Sequence, residues 1–299
     1  MAGDDRYAQT GAYLKLLLVR PGKVRSTWER FAGTRVADLD YRAVATVLAD
    51  GAVGERDVAA VRGAMDGTCL SPEIIDRYVQ AFDLGYRHAD RLRNLWRGSQ
   101  SVRMISRPAQ APVAAMPAHA RHRTVSVHEM HTLGPDGVPA EHQTLQVIES
   151  TVDDLDIYPY WFDTDQVAVD VLQGGRVGEP YVVTEGLYGV DILLDEPLAR
   201  GERASLHYRT VFGYTRPPAP QLRRGVRSTM RDVTLWVQFH PDRLPARVWW
   251  ARWDRFADAR IVEEREIDLE PDGSVQVRYS QEAGEVPPDG FVGFHWSWQ

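Results

Sequence analysis

The stretch "CLSPEIIDRYVQAFDLGYRHADRLRNLWRG", residues 69–98, contains a helix start, an apolar stripe, a short turn and a second amphipathic run. Ser71 followed by Pro72 is typical of an N-cap with proline at the first helical position. The apolar residues that follow fall on one helical face: Ile74, Ile75, Tyr78, Val79 and Phe82. Trp96 closes the second run, so the stretch predicts two consecutive helices.

Helical periodicity also marks the residues upstream of this stretch. After Asp40, a plausible N-cap, the apolar positions Tyr41, Val44, Ala45 and Leu48 recur at helical spacing. A further stripe is formed by Val58, Val61 and Met65, and Gly67 is suited to ending it. Together with "VRSTWERFAG" at 24–33, these segments predict a small helical bundle.

Behind the helical part lies "RPAQAPVAAMPAHARHR", residues 107–123, whose three prolines and lack of periodicity indicate a linker. Beyond it the apolar period changes to two, which is typical of strands. Examples are "TLQVIES" with Leu145 and Val147, "QVAVDVL" at 166–172, "DVTLWVQF" at 232–239 and "REIDLEPDGSVQVRY" at 265–279. The last predicts a hairpin around Pro271-Asp272-Gly273.

These patterns predict a multidomain α plus all-β chain. A helix-turn-helix-like helical bundle occupies residues 1–106, the linker 107–123, and an antiparallel β-sandwich 124–299. No apolar run approaches the ~20 residues of a membrane span, and the N-terminus lacks a signal-peptide core. A single cysteine among 299 residues fits a reducing compartment. We therefore expect a cytoplasmic protein with no membrane partner.

The helical part resembles the xenobiotic-response-element (Cro/repressor-like) helix-turn-helix domains of actinobacterial regulators. The resemblance covers roughly residues 26–97 and rests on four short matches. They are "DYRAVA" at 40–45, "VAAVRGAMDG" at 58–67, "SPEIIDRYVQAFDL" at 71–84 and "RLRNLW" at 91–96. It implies a transcriptional regulator that binds DNA, as a homodimer, and whose β-sandwich senses a ligand or a partner.

The charge distribution along the chain is consistent with an N-terminal part that binds nucleic acid. Residues 1–107 carry 17 Lys/Arg against 13 Asp/Glu, whereas the remainder carries 18 against 29. Arg side chains on and beside the predicted helices would make the contacts with DNA phosphates and bases. The expected DNA-binding residues are Arg56, Arg62, Arg91, Arg93 and Arg97.

The run that corresponds to a recognition helix departs from the family pattern. Glu55 and Asp57 stand at its start, where they suit the helix dipole but face phosphates unfavourably. This motivates an alternative function, a protein-interaction adaptor whose helix-turn-helix no longer binds DNA. A protein partner, or an anion, would meet the arginines of "PAPQLRRGVRSTMRD" at 218–232. If that segment is helical, Arg223, Arg227 and Arg231 share one face, and Arg224 lies alongside them.

No sequence pattern favours an enzyme, a cofactor or a metal. There is no G-x-S-x-G elbow, phosphate-binding loop or dinucleotide fingerprint. Five histidines cluster between His119 and His142, among them "HEMH" at 128–131. Residues three apart on a strand point to opposite faces, so His128 and His131 are not expected to converge on a metal. A hydrolase or metal-dependent enzyme in the sandwich is the weakest alternative.

Overall fold

The computed structural model describes residues 5–32, 38–49, 52–106, 121–214, 217–226, 232–254, 260–279 and 290–298. Within these ranges six helices come first. They are α1 (Asp5–Val19), α2 (Lys23–Glu29), α3 (Tyr41–Ala49), α4 (Glu55–Met65), α5 (Pro72–Ala81) and α6 (Tyr86–Arg97). Both predicted N-caps are confirmed: Asp40 accepts hydrogen bonds from the amides of Arg42 and Ala43, and Ser71 accepts one from Ile74.

Fourteen strands follow in the described part of the chain. They are β1 (Val102–Ser106), β2 (His122–Leu133), β3 (Pro139–Ser150), β4 (Leu155–Phe162), β5 (Gln166–Gln173), β6 (Gly175–Thr184), β7 (Leu187–Leu198), β8 (Arg203–Phe212), β9 (Gln221–Val226), β10 (Asp232–Gln238), β11 (Pro245–Trp253), β12 (Ile261–Ile267), β13 (Ser274–Tyr279) and β14 (Gly290–Trp298). A seven-stranded sheet has the order β1-β5-β8-β3-β2-β10-β13, with β2 and β10 parallel. The four-stranded sheet is β12-β11-β14-β9, and the three-stranded sheet is β4-β7-β6.

The seven-stranded sheet organises the molecule because other layers cover both of its faces. On one face, Ala168 of β5 and Val211 of β8 pack with the buried side of the helices. On the opposite face, the alternate residues Val167 and Val169 pack against the three-stranded sheet. The β10–β13 end of that same face packs against the four-stranded sheet. The two smaller sheets therefore share one face of the large sheet.

A buried polar network joins the helices to the sheet. The guanidinium of Arg91 in α6 donates to the Tyr13 hydroxyl at 2.9 Å and lies 3.5 Å from the Asp170 carboxylate. Arg209 of β8 donates to the same carboxylate at 2.7 Å. Tyr13 in turn lies 2.8 Å from Nδ1 of His88. These contacts fix the helical layer directly on the sheet.

The predicted fold class, a helical bundle beside an antiparallel sandwich, is wrong. Of the described residues 48% lie in strands and 26% in helices, and the strands form three sheets, one of which contains a parallel pair. The helical core includes Val102 and Met104 of β1, so helices and sheet share one apolar core. The sequence pattern did not reveal this because a strand period indicates a strand and not the layer that covers it.

The predicted hairpin at 265–279 is also wrong. Its turn is present, with Gly273 at φ 77° and the Asp272 carboxylate accepting a hydrogen bond from the Ser274 amide. However, β12 before the turn pairs with β11, while β13 after it pairs with β10 in the seven-stranded sheet. Most of the predicted linker, residues 107–120, lies outside the described residues. No helix in the described ranges is long and apolar enough to cross a bilayer.

Candidate functional site

A cavity of about 650 Å³ opens where the three sheets meet. Its floor is the inner face of β2 and β3 in the seven-stranded sheet. One wall comes from β4 of the three-stranded sheet, and the facing wall from β9 and β14 of the four-stranded sheet. Aromatic side chains line most of these walls: Tyr158, Tyr160, Trp161, Phe162, Phe212, Tyr214, Phe291 and Trp296. The site is thus an aromatic chamber on a β-sheet floor.

The floor is polar although the inner face of the sheet is apolar on its β10 side. His131 of β2 lies directly opposite His142 of β3, and their outer neighbours in the same row are Val237 and Thr210. In the next row Glu129 is flanked by Leu235 on β10. Buried polar groups reduce stability unless they are paired. Their concentration on two central strands beneath a cavity makes this floor the candidate site.

Glu129 forms a buried ion pair with Arg224, which reaches across the cavity from β9. The Glu129 side chain is 3% exposed and that of Arg224 is 16% exposed. Burial by itself would raise the pKa of Glu129, but the Arg224 guanidinium and the nearby His142 ring lower it further than burial raises it. The Glu129 carboxylate is therefore ionised at neutral pH.

The two floor histidines stack with ring centroids 3.9 Å apart. Burial lowers the pKa of His131 well below its ordinary value, and the adjacent His142 lowers it further, so the His131 ring is neutral at pH 7. Nε2 of His131 is buried and has no hydrogen-bond partner among the described residues. His142 is held at both nitrogens: Nε2 lies 3.1 Å from Thr144 Oγ1, and Nδ1 lies 3.4 Å from the Tyr160 hydroxyl.

Three side chains of this floor have the chemistry to hold a metal ion. Glu129, His131 and His142 each offer a ligand atom, and these atoms lie within 4.8 Å of one another. The exposed His128 points to the opposite face of β2, as the strand alternation predicts. His119 lies outside the described residues, so the expected histidine cluster contributes His131 and His142 to the floor.

The arginines expected to bind DNA have different surroundings. Arg56 and Arg62 are exposed on α4, and the guanidinium of Arg62 lies 5.2 Å from the Tyr41 ring centroid. Arg97 is exposed at the end of α6. Arg93 pairs with Asp76 of α5 at 2.7 Å. Arg91 is 1% exposed within the network to the sheet, so it is out of reach of a DNA phosphate.

Arg223 and Arg224 lie on strand β9 and not on a helix, so the expected helical face is wrong at these two positions. In β9 the consecutive Arg223 and Arg224 point to opposite sides. Arg223 lies about 6 Å from the rings of Trp253 and Phe291, while Arg224 contacts the carboxylate of Glu129. The anion that Arg224 meets is therefore a side chain of this protein. Arg227 and Arg231 lie outside the described residues.

The proximity of Glu129, His131 and His142 was not predicted from the sequence, although the chain contains a signal for it. The segment "HTLGPDGVPAEH", residues 131–142, has a turn sequence at its centre. In the structure the amides of Gly134 and Gly137 close this turn. A hairpin through it brings His131 opposite His142. The Arg224 contact had no such signal, because it joins strands far apart in the chain.

Comparisons with known proteins do not identify the site. No protein-family model and no curated protein matches the chain. Among solved structures, one similar chain is the crystal structure of a "putative protease" from Parabacteroides distasonis ATCC 8503, at 10% identity and a TM-score of 0.38. The similarity covers 58% of this chain and 40% of that one. Similarity at this level does not establish a shared fold, and nothing is transferred from it.

Proposed function

We propose that the β-rich part of the chain binds a small molecule in the cavity between its three sheets. The observation that carries this proposal is the combination of a 650 Å³ chamber with a buried polar floor. Ligand sites in proteins are typically about 300–1,000 Å³, largely apolar, and supplied with a few convergent polar groups. The cavity fits each of these three criteria.

The lining defines the chemical class of the ligand. Aromatic walls favour a flat, apolar body, which stacks on rings or meets their edges. The unpartnered Nε2 of His131 offers one hydrogen bond on the floor. Ligand polarity is therefore expected at one end: a hydroxyl, amide or carboxyl group directed at His131, with the ring system between β4 and β14.

A fragment screen by ligand-observed NMR tests the proposal. Ala219 is exposed and lines the cavity, so Ala219→Trp should obstruct the opening without disturbing the core. Ala246 is equally exposed on β11 but does not line the cavity, and Ala246→Trp is the matched control. Aromatic fragments should bind the wild type and Ala246→Trp and lose at least tenfold in affinity with Ala219→Trp. Equal binding to all three proteins would contradict the proposal.

DNA binding by the helical part is a second candidate, which would make the chain a ligand-responsive transcriptional regulator. Its support is that Arg56 and Arg62 are not neutralised by the acidic residues beside them. Glu55 instead pairs with Arg42, and the Asp57 carboxylate accepts a hydrogen bond from the Gly54 amide. Two exposed guanidiniums on α4 therefore remain available to phosphates.

Fluorescence anisotropy on mixed genomic DNA fragments at two salt concentrations tests this second candidate. Phosphate contacts predict an affinity that falls by roughly one power of salt concentration for each phosphate neutralised. Arg56→Ala with Arg62→Ala should abolish binding, whereas Lys15→Ala, an exposed cation on α1, should retain it. Absence of DNA binding by the wild-type chain at low salt would instead favour the adaptor function, in which the helices contact a protein.

A further inference from the structure

We propose that Glu129, His131 and His142 form a binding site for a divalent transition-metal ion of the zinc type on the floor of the cavity. The proposal is independent of the small-molecule function, because the site is defined by three side chains and needs no further ligand. Such a site would add a metal centre to the aromatic chamber.

The ligand types select this class of metal. Two imidazoles and one carboxylate suit Zn²⁺, Fe²⁺ or Co²⁺, whereas Ca²⁺ and Mg²⁺ prefer oxygen ligands throughout. Three protein ligands also leave coordination positions open, and here those positions face the cavity. The site therefore has the composition of an accessible metal centre and not of a closed structural one.

The backbone places the three ligands on one surface. His131 and His142 are direct partners across the β2–β3 pair, and Glu129 precedes His131 by two residues on the same face of β2. Their rings are stacked with an interplanar angle of 19°, so the in-plane lone pairs run nearly parallel. For both rings to bind one ion, the His131 ring, whose Nε2 makes no hydrogen bond with the described residues, must rotate about its side-chain bonds. Ligand atoms around a tetrahedral zinc lie about 3.4 Å apart, so the present separations of up to 4.8 Å need modest side-chain adjustment.

Neighbouring groups support the ligands in the manner of known metal sites. The Tyr160 hydroxyl lies 3.4 Å from Nδ1 of His142, and Thr210 lies 3.0 Å from that hydroxyl. Such outer contacts fix the orientation of a ligating ring. A metal at Nε2 of His142 would take the place of the contacts that this nitrogen makes with Thr144 and Glu129. Arg224 and His142 both contact Oε1 of Glu129, so a metal bound at Oε2 would leave the ion pair with Arg224 intact.

The buried guanidinium of Arg224 limits the affinity of this site for a cation. A dication beside Arg224 adds positive charge to a site whose single carboxylate already balances one guanidinium. Two neutral imidazoles contribute no compensating charge, so we expect an affinity in the micromolar range and not the tightest class of zinc site. An anionic group on a ligand in the cavity would restore the balance and strengthen metal binding.

Cobalt titration of the full, tag-free chain after EDTA treatment and dialysis tests the site without any enzymatic assay. One equivalent of Co²⁺ should produce visible d–d absorption, which Zn²⁺ should displace. His131→Gln and His142→Gln should each weaken Co²⁺ binding at least tenfold. His128→Gln is the matched control, because that exposed ring lies on the opposite face of the same strand, and it should leave the titration unchanged.

The opposite results overturn the metal site. Absence of a one-equivalent Co²⁺ complex in the wild type, or a complex that persists in folded His131→Gln, shows that these side chains do not form it. Far-UV circular dichroism verifies folding of each variant. If His142→Gln fails to fold, His131→Gln decides, since Nε2 of His131 makes no hydrogen bond with the described residues. Fragment binding measured in EDTA separates failure of the metal site from failure of the ligand pocket.

Discussion

At the scale of single residues, the ion pair between Glu129 and Arg224 is the most consequential contact of the cavity. Both side chains are removed from water, so each charge depends on the other for compensation. The exposed pair of Arg247 and Glu266 has short contacts too, but water screens it. The two pairs therefore contribute different amounts to the free energy of unfolding, although each joins an arginine to a glutamate.

Replacing Arg224→Met should lower the free energy of unfolding by about 3–5 kcal/mol, because it leaves a buried, unpaired carboxylate. Urea unfolding in EDTA measures the change. The double variant Glu129→Leu with Arg224→Met should recover most of the loss, and Arg247→Met on the exposed pair should leave stability nearly unchanged. A double variant as unstable as Arg224→Met alone would show that the ion pair is not the cause.

The same floor explains where residue-level prediction failed. Leu145 and Val147 were expected to form the apolar side of β3, but Leu145 is 45% exposed. The buried side of that strand carries Thr144 and Gln146, which lie on the same face of the sheet as His142 of the cavity floor. A pattern that assigns apolar residues to the core exchanges the two faces of a strand whose buried face is polar. The failure therefore coincides with the candidate site.

At the scale of elements, β9 and β14 approach so closely at Gly293 that no side chain fits at that position. A Cβ on Gly293 would lie 1.9 Å from the carbonyl oxygen of Leu222. On the other strand of this pair, a Cβ on Gly225 would meet only the ring of Phe291, at 3.2 Å. Since β9 carries Arg224, the spacing of this strand pair sets the reach of the guanidinium to Glu129.

Gly293→Ala should therefore destabilise the chain by about 3 kcal/mol, because backbone cannot yield as a side chain can. Gly225→Ala, the matched variant, should cost less than about 1 kcal/mol, since the Phe291 ring can rotate. Thermal unfolding followed by tryptophan fluorescence compares the two. Equal melting temperatures would mean that the strands separate without cost and that close packing does not hold β9 in place.

Prediction of elements from the sequence succeeded where the signal is local. Asp40 and Ser71 cap the helices that were predicted to follow them, and Val233, Leu235 and Val237 share the buried side of β10. Partner strands were not predictable in this way. The turn at Asp272 determines that the chain reverses, whereas long-range packing determines that β12 and β13 join different sheets.

At the scale of the whole molecule, the polar network between helices and sheet makes stability depend on pH. Burial lowers the pKa of His88 to about 3, and the nearby Arg20, Arg91, Arg209 and Arg87 act in the same direction. In the unfolded chain the ring titrates near 6.5, so between those two values the unfolded state binds the extra proton. Stability contributed by His88 is thus present above pH 6.5 and is lost as the pH falls toward 3.

We expect the free energy of unfolding to fall by roughly 1.4 kcal/mol per pH unit below about pH 6 on account of this group. His88→Gln retains an acceptor for the Tyr13 hydroxyl and should remove that part of the slope. Urea titrations from pH 7 to pH 4 measure both proteins, with His128→Gln as the exposed control. Parallel pH profiles for wild type and His88→Gln would refute the assignment.

Glu129 also matters during synthesis of the chain, because the strands emerge from the ribosome one after another. Strand β2 ends at Leu133, but its parallel neighbour β10 begins only at Asp232. Until β10 is synthesised, β2 is an open sheet edge, and such edges attract other chains. An inward-pointing carboxylate is one of the devices that discourage such pairing. We therefore expect Glu129 to discourage pairing of the nascent sheet with other chains until β9, which carries Arg224, and β10 have been synthesised and β10 covers the edge.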